Sequence, residues 1–481
     1  MENNRDIYIR SSLKGEISNA DNAAIAAMTG RAQAYKASEN GGNRLKIHLV
    51  LRNHLLANAM RRLPVNDTLS NDIELYTYTR EDLCSMKVLG IKPGSMPILT
   101  RERVTYESNR HIHLVIFGAS RQAESLAIHT ALTSHLPNYC RDNNLRTRIT
   151  WFADSKEDFL QFRNMYSNLL DHCYRRFVDI DGGDIRTQTI PPIHTDRQSD
   201  FIDIEWEFVT GKSNSHITQH KLDRWGTDKE QILTIAFCYD DNCRNLNEAI
   251  SLSAVVRKNS CILTMTDEST TIDYLRSSEE YSNIIPFGCR EKENEELGDY
   301  TLMAQYINFA YSRIRSTTEE EREHGAADIA VAMEIPTKEE IEKVWNNSGL
   351  TTAKRWSNIY NAFTLNIKMQ SLGIPTERWN TLFGINDRDA KIMTQVEHNR
   401  WCIEELILGY TPTTEEQHKA IKNNPALRDI LKAGQVHDDL RHFSELGADC
   451  SGFSVTRYDL GLTRTLPLIA YTYYTSKSLE R

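Results

Sequence analysis

The chain has 481 residues, of which 40% are hydrophobic and 26% charged, enough apolar material for two or three domains with cores of their own. A formal net charge of −9 argues against a nucleic-acid binder that relies on a broad basic surface, and no apolar run approaches the ~20 residues a membrane-spanning helix requires. The polar opening MENNRDIYIRSSLKGE has no apolar core of a secretory signal, so a cytoplasmic chain is expected, without direct membrane insertion and without a nucleic-acid partner.

In chain order, residues 1–43 read as a polar, Ala-rich arm or helix closed by Gly41-Gly42. Lys46 to Leu51 is strand-like and leads into apolar residues at helical spacing, and Asp72 to Asp82 is a second short strand. Residues 44–110 are therefore expected to form a degenerate α/β half-domain. From His111 the alternation becomes regular. His111–Phe117 is closed by Gly118 and followed by a helix to about Leu136; Arg148–Ala153, Asp203–Val209, Gln231–Cys238, Cys261–Thr266 and Asn283–Phe287 are further strands. Short apolar strands alternating with helices predict a doubly wound, Rossmann-type parallel sheet over 111–290. A charged stretch after Gly288 marks its end. Residues 298–450 are mostly helix formers and predict an all-α module, and 451–481 form a more β-like tail. The expected fold class is thus α/β with a helical C-terminal domain.

In such a sheet the first strand ends in a glycine-rich turn that brings the backbone close to a pyrophosphate at a helix N-terminus. Here the turn reads Gly118-Ala119-Ser120-Arg121-Gln122-Ala123, with only the first glycine present. Asp154 follows the second strand, where a carboxylate accepts hydrogen bonds from a ribose and favours NAD over NADP. Gly118, Ser120, Arg121, Asp154 and Asp240 are the candidate cofactor-binding residues. The alternative is a plain tight turn at Gly118 and a surface carboxylate at Asp154. Asp240, Asp241 and Asn245 either touch ligand or cap the following helix, and capping is the favoured role.

Strand order and turn over His111 to Phe287 resemble the TrkA-N family of NAD-binding regulatory domains, which implies a dinucleotide ligand and a homodimer. Further on, Glu397-His398-Asn399-Arg400-Trp401, leading to Leu408-Gly409-Tyr410, resembles the opening of the RyR domain, the repeat named after ryanodine receptors. Asn424-Pro425-Ala426-Leu427 and Asp438 resemble its second half. Arg355, Ser357, Asn358 and Lys368 resemble the segment that precedes it in prokaryotic chains joining the two domains. The resemblance implies a nucleotide-like ligand bound by Arg355, Ser357, Asn358, Lys368, Glu397, His398, Arg400 and Trp401. Physically, an Arg beside an exposed indole suits a planar anion. That role requires an Arg400 guanidinium left unpaired or only partly paired, in a concavity shared with Arg355, Asn358 or Lys368. The competing reading is structural: Trp401 in the core and Arg400 paired with Glu397 or Glu404.

No nucleophile elbow, P-loop or zinc-protease helix occurs in the sequence. The nine cysteines include no C-x-x-C pair and suggest neither a disulfide framework nor a metal site. Thr318 to Gly325 reads as a solvated helix face. A non-catalytic ligand sensor is expected; the alternative is an NAD-dependent oxidoreductase with the helical domain as a substrate cap.

Overall fold

The computed structural model describes residues 6–37, 44–62, 73–90, 98–181, 184–193, 200–288, 297–315, 336–347, 350–375, 378, 384–447 and 455–479. The Gly41-Gly42 break, most of the charged run after Gly288 and the Thr318–Gly325 segment lie outside these residues.

Three parallel strands open the chain: β1 (Ile7–Arg10), β2 (Leu45–Leu51) and β3 (Ile73–Thr79), in the order β1-β2-β3. The helices α1 (Ile17–Ala37), α2 (His54–Arg62) and α3 (Arg80–Leu89) connect or follow them. The expected N-terminal arm therefore includes an edge strand of this sheet, with Ile9 level with Leu49. A capping box starts α3: the Thr79 hydroxyl accepts from the Asp82 N–H, and the Asp82 carboxylate accepts from the Thr79 N–H.

The main sheet holds β4 (His111–Phe117), β5 (Thr147–Ala153), β6 (Tyr174–Asp181), β7 (Asp184–Ile190), β8 (Ile204–Thr210), β9 (Gln231–Phe237), β10 (Cys261–Met265) and β11 (Ile284–Phe287). Their order is β11-β10-β9-β4-β5-β8-β6-β7. Every neighbouring pair is parallel except the hairpin β6–β7. That hairpin extends one edge and has no counterpart among the strands expected from sequence. The intervening helices are α4 (Arg121–Thr133), α5 (Glu157–Met165), α6 (Ser167–Asp171), α7 (His216–Thr227), α8 (Asn242–Ser251), α9 (Ala254–Asn259) and α10 (Thr270–Leu275). Strands β4 and β9 are buried along nearly their whole length, which is why they read as continuous apolar runs.

The C-terminal part comprises α11 (Gly298–Arg315), α12 (Lys338–Trp345), α13 (Thr352–Ser371), α14 (Asp387–Ile407), α15 (Glu415–Asn423), α16 (Leu427–Ala433) and α17 (Val455–Leu479), with one short parallel pair, β12 (Thr411–Pro412) and β13 (Val436–His437). Residues 455–479 correct the expected β-like tail. Leu462, Leu466, Ile469, Ala470 and Tyr473 are buried at helical spacing, and α17 packs on α11 and α14. Burial of that stripe outweighs the β preference of its Thr and Tyr residues.

The helical part does not stand apart. One continuous apolar core runs from Tyr76 and Tyr78 through Leu126 and Trp151 to Trp356, Ile403 and Tyr473. Polar groups cross the same boundaries: Arg61 Nη1 donates to the Tyr360 hydroxyl at 2.7 Å, Trp345 Nε1 to the Glu74 carboxylate at 2.8 Å, and Asn168 Nδ2 to the Gly409 carbonyl at 2.8 Å. Between the first sheet and α4, the buried Asp82 carboxylate meets His129 at 3.0 Å and His54 at 3.2 Å. Burial works against protonation of His54, but the Asp82 charge pushes it up to about 9.

Candidate functional site

Two places gather the residues singled out from sequence. The first is the crevice at the carboxyl ends of β4 and β9, where the connections leave the sheet in opposite directions. Gly118 has φ +99, and a Cβ there would stand 2.7 Å from the Cys238 carbonyl oxygen; the turn needs glycine for both reasons. Its N–H donates to the Phe152 carbonyl, and its own carbonyl accepts from Trp151 Nε1 at 2.6 Å. Ser120 caps α4 by accepting from the Ala123 N–H. Asp154 lies at the end of β5, beside this turn.

Most of these groups are engaged by other side chains or backbone of the protein. Asp154 is exposed and stands 3.5 Å from Arg244 Nη1, whose guanidinium lies 3.5 Å from the centre of the Tyr239 ring. Arg121 turns toward the first sheet, donating to the Arg52 carbonyl and pairing with Glu81 at 3.1 Å. Asp241 caps α8 through the Cys243 and Arg244 N–H groups, and Asn245 holds the loop after β9 by bonding both the N–H and the carbonyl of Tyr239. Capping is thus the observed role of Asp241. Asp240 is exposed at the rim.

The second place is a cavity of about 1000 Å³ among the C-terminal helices, also reached by Arg61 and Arg62 from the end of α2. Asn386 caps α14 and Thr351 caps α13, fixing the two helices that carry most of the charged wall. Ser357, Asn358, Glu397, His398, Arg400 and Trp401 all line it. Arg355 and Lys368 do not: both are buried behind the wall. Lys368 Nζ donates to Glu397 at 2.5 Å and Asn361 at 2.8 Å. Arg355 stands 5.7 Å from the Trp345 ring and gives Nη2 to the Trp345 carbonyl.

The expectation of a largely unpaired Arg400 needs correction. Its side chain is 1% exposed. Nε donates to both Glu397 oxygens at 3.0 and 3.1 Å, Nη1 to Glu404 at 2.8 Å, and Nη2 approaches the Ser357 hydroxyl at 3.4 Å. The i, i+3 and i, i+4 spacing that puts an Arg beside a ligand also puts it between two carboxylates, and desolvation favours the paired arrangement. Burial alone would raise Glu397, but Arg400 and Lys368 hold it below the usual carboxylate range. Burial takes His398 down to about 4, against the 2.8 Å bond to the Arg441 carbonyl.

Other wall groups are less satisfied. Burial, reinforced by Glu404, pushes Glu405 up to about 8. Burial and Glu397 do the same to Asp459, which stands 4.0 Å from His398. Trp401 is half-buried, with its ring 4.9 Å from His437, and Tyr410 meets the same imidazole at 5.9 Å. Arg428 pairs with Asp438 and Asp439.

No known family, curated protein or solved structure matches this chain. The cavity residues that the sequence reading missed are chiefly Arg61, Arg62, Glu405, Lys432, His437 and Asp459. Glu405 carried a usable signal, four positions after Trp401 on the same helix face. Arg61 and Arg62 carried none, since two arginines ending a helix serve its dipole equally well. Among the described residues no His, Cys, Asp and Glu group has the arrangement of a metal site.

Proposed function

We propose that the protein is a ligand sensor whose helical cavity binds a nucleotide-type molecule. One observation carries this reading. A cavity of about 1000 Å³, large enough for a nucleotide, has aromatic faces at Trp401 and Tyr410 and charged groups of both signs along its wall. Glu397, His398, Arg400 and Trp401 of the Glu397–Trp401 string lie on that wall, in keeping with an RyR-like module. The Arg400 ion-pair network positions the wall and the Ser357 hydroxyl, while Trp401, Glu405 and Lys432 supply the contacts.

A second nucleotide site, for NAD, is proposed at the Gly118 crevice. The order β8-β5-β4-β9-β10-β11 supports it, since it is the 3-2-1-4-5-6 order of doubly wound dinucleotide folds. Bound ribose would have to draw Asp154 away from Arg244. The continuous core between sheet and helices would let occupancy of one site bias the other, and a cytoplasmic homodimer would give that coupling a symmetric interface.

Calorimetry with a nucleotide panel tests the reading. Saturable binding should appear at or below millimolar concentration and weaken about tenfold in Trp401→Ala through loss of stacking. No change in NADH absorbance should follow when candidate substrates are added. Absence of binding across the panel would refute the sensor reading, and turnover would replace it with an oxidoreductase.

A further inference from the structure

We infer that the Trp401 end of the helical cavity is a guanine-nucleotide site, in which the Glu405 carboxylate receives the base's N1–H and exocyclic amine while Lys432 and Arg62 face its phosphates. The inference rests on the nucleotide reading above and narrows it to one base.

Trp401 and Glu405 on α14 and Leu408 at its C-terminal cap form a stripe, and all three line the cavity. The two neighbouring carboxylates differ. Glu404 is satisfied by Arg400 at 2.8 Å and by the Ser357 hydroxyl at 2.8 Å. Glu405 has no hydrogen bond or ion pair among the described residues, and burial beside Glu404 drives it up to about 8. A half-buried carboxylate in this condition lacks donors. Guanine is the common base whose pairing edge offers two parallel N–H donors, which match the two carboxylate oxygens. Adenine offers one donor and one acceptor, so an ionised Glu405 would meet a lone pair.

The cations complete the argument. Lys432 is exposed at the rim, and neither it nor Arg62 has a carboxylate within ion-pair distance among the described residues; the Arg62 Nη1 and Nη2 donate to the neutral Gln435 side chain, and its buried Nε has no partner there. Both are near enough to oppose the rise of Glu405. A purely anionic ligand would leave Glu405 facing it, and a purely cationic one would leave Lys432 and Arg62 unanswered. A guanine nucleotide supplies donors at one end and negative charge at the other, and its base can lie against the Trp401 indole.

The test uses the full chain at pH 8 with GTP, ITP and ATP, read by calorimetry. GTP should bind about tenfold or more tighter than ATP. ITP, which lacks the exocyclic amine, should bind about threefold or more weaker than GTP. Glu405→Gln should weaken GTP about tenfold while changing ATP less than about threefold. Because burial keeps Glu405 protonated below about 8, GTP binding should strengthen from pH 6.5 to 8 as the carboxylate ionises. ATP binding as tightly as GTP, or ITP equal to GTP, would overturn the guanine assignment and leave the nucleotide reading standing. No binding by any of the three at millimolar concentration would overturn both. If Glu405→Gln does not fold, the ITP to GTP ratio on the unaltered chain decides alone.

Discussion

The Gly118 crevice and the helical cavity were both marked by short polar strings, and they differ in what their polar groups do. At the crevice, Gly118, Ser120 and Asp241 are engaged in turn and cap bonds, and Asp154 has Arg244 beside it. In the cavity, satisfied and unsatisfied groups alternate along one helix: Arg400 and Glu404 are paired, while Glu405 is not. A charged string therefore holds two kinds of residue, those that build a wall and those that face what it encloses. Only the second kind answers to ligand, and the two should respond differently to substitution.

The largest effect is expected at Arg400. Removing the guanidinium leaves the buried Glu404 without a counter-charge and Glu397 with Lys368 alone, so Arg400→Ala should cost about 3–5 kcal/mol of stability. Chemical denaturation would measure it. A loss below about 1 kcal/mol would mean that Arg400 is exposed in solution and belongs with Glu405 on the ligand side.

A smaller, graded effect comes from pH. Glu405 and Asp459 are pushed from ordinary values of 4.5 and 3.8 up to about 8. The folded chain thus holds protons there that the unfolded chain has released, and stability falls as pH rises toward 8. His54, raised to about 9 from 6.5, acts in the same direction, because its contribution is present below 6.5 and lost as pH approaches 9. His398, held near 4, works oppositely but only below 6.5. Between pH 6.5 and 8 these shifts share one sign. The melting temperature should fall across that window, and the double variant Glu405→Gln, Asp459→Asn should flatten the slope. A melting temperature that rises across the window would contradict the burial-raised protonation of these two carboxylates.

The smallest effect should be at Asp154. Its pair with Arg244 is exposed and 3.5 Å long, so Asp154→Ala should change stability by less than about 0.5 kcal/mol. If NAD binds the crevice, the same variant should weaken it by about 1–2 kcal/mol through lost ribose hydrogen bonds. Equal NAD affinity in both proteins would remove Asp154 from the site.

How much the sequence disclosed follows from the same physics. The strands from β4 to β11 were legible wherever they are buried on both faces, because His111–Phe117 and Gln231–Phe237 are then unbroken apolar runs. The hairpin β6–β7 was not, since every residue from Asp184 to Thr189 is exposed and leaves no apolar pattern. Helix α17 was misread because Thr and Tyr are as numerous as its strong helix formers, and only packing on α11 and α14 reveals the buried stripe from Leu462 to Tyr473. In the cavity the string around Arg400 could be found, but not its pairing. Whether Glu397 reaches Arg400, Lys368 or a ligand depends on α13 lying beside α14, a long-range fact. Arg62 arrives from more than 300 positions away and could not have been nominated at all.

The central claim is that ligand enters among the helices, against Trp401. A crystal structure of the full chain with saturating GTP tests it most directly. The account predicts nucleotide at the Trp401 end of the cavity, its base on the Trp401 indole and its pairing edge toward Glu405, with the Arg400 ion pairs intact. GTP seated only at the Gly118 turn, with the cavity holding solvent alone, would contradict it.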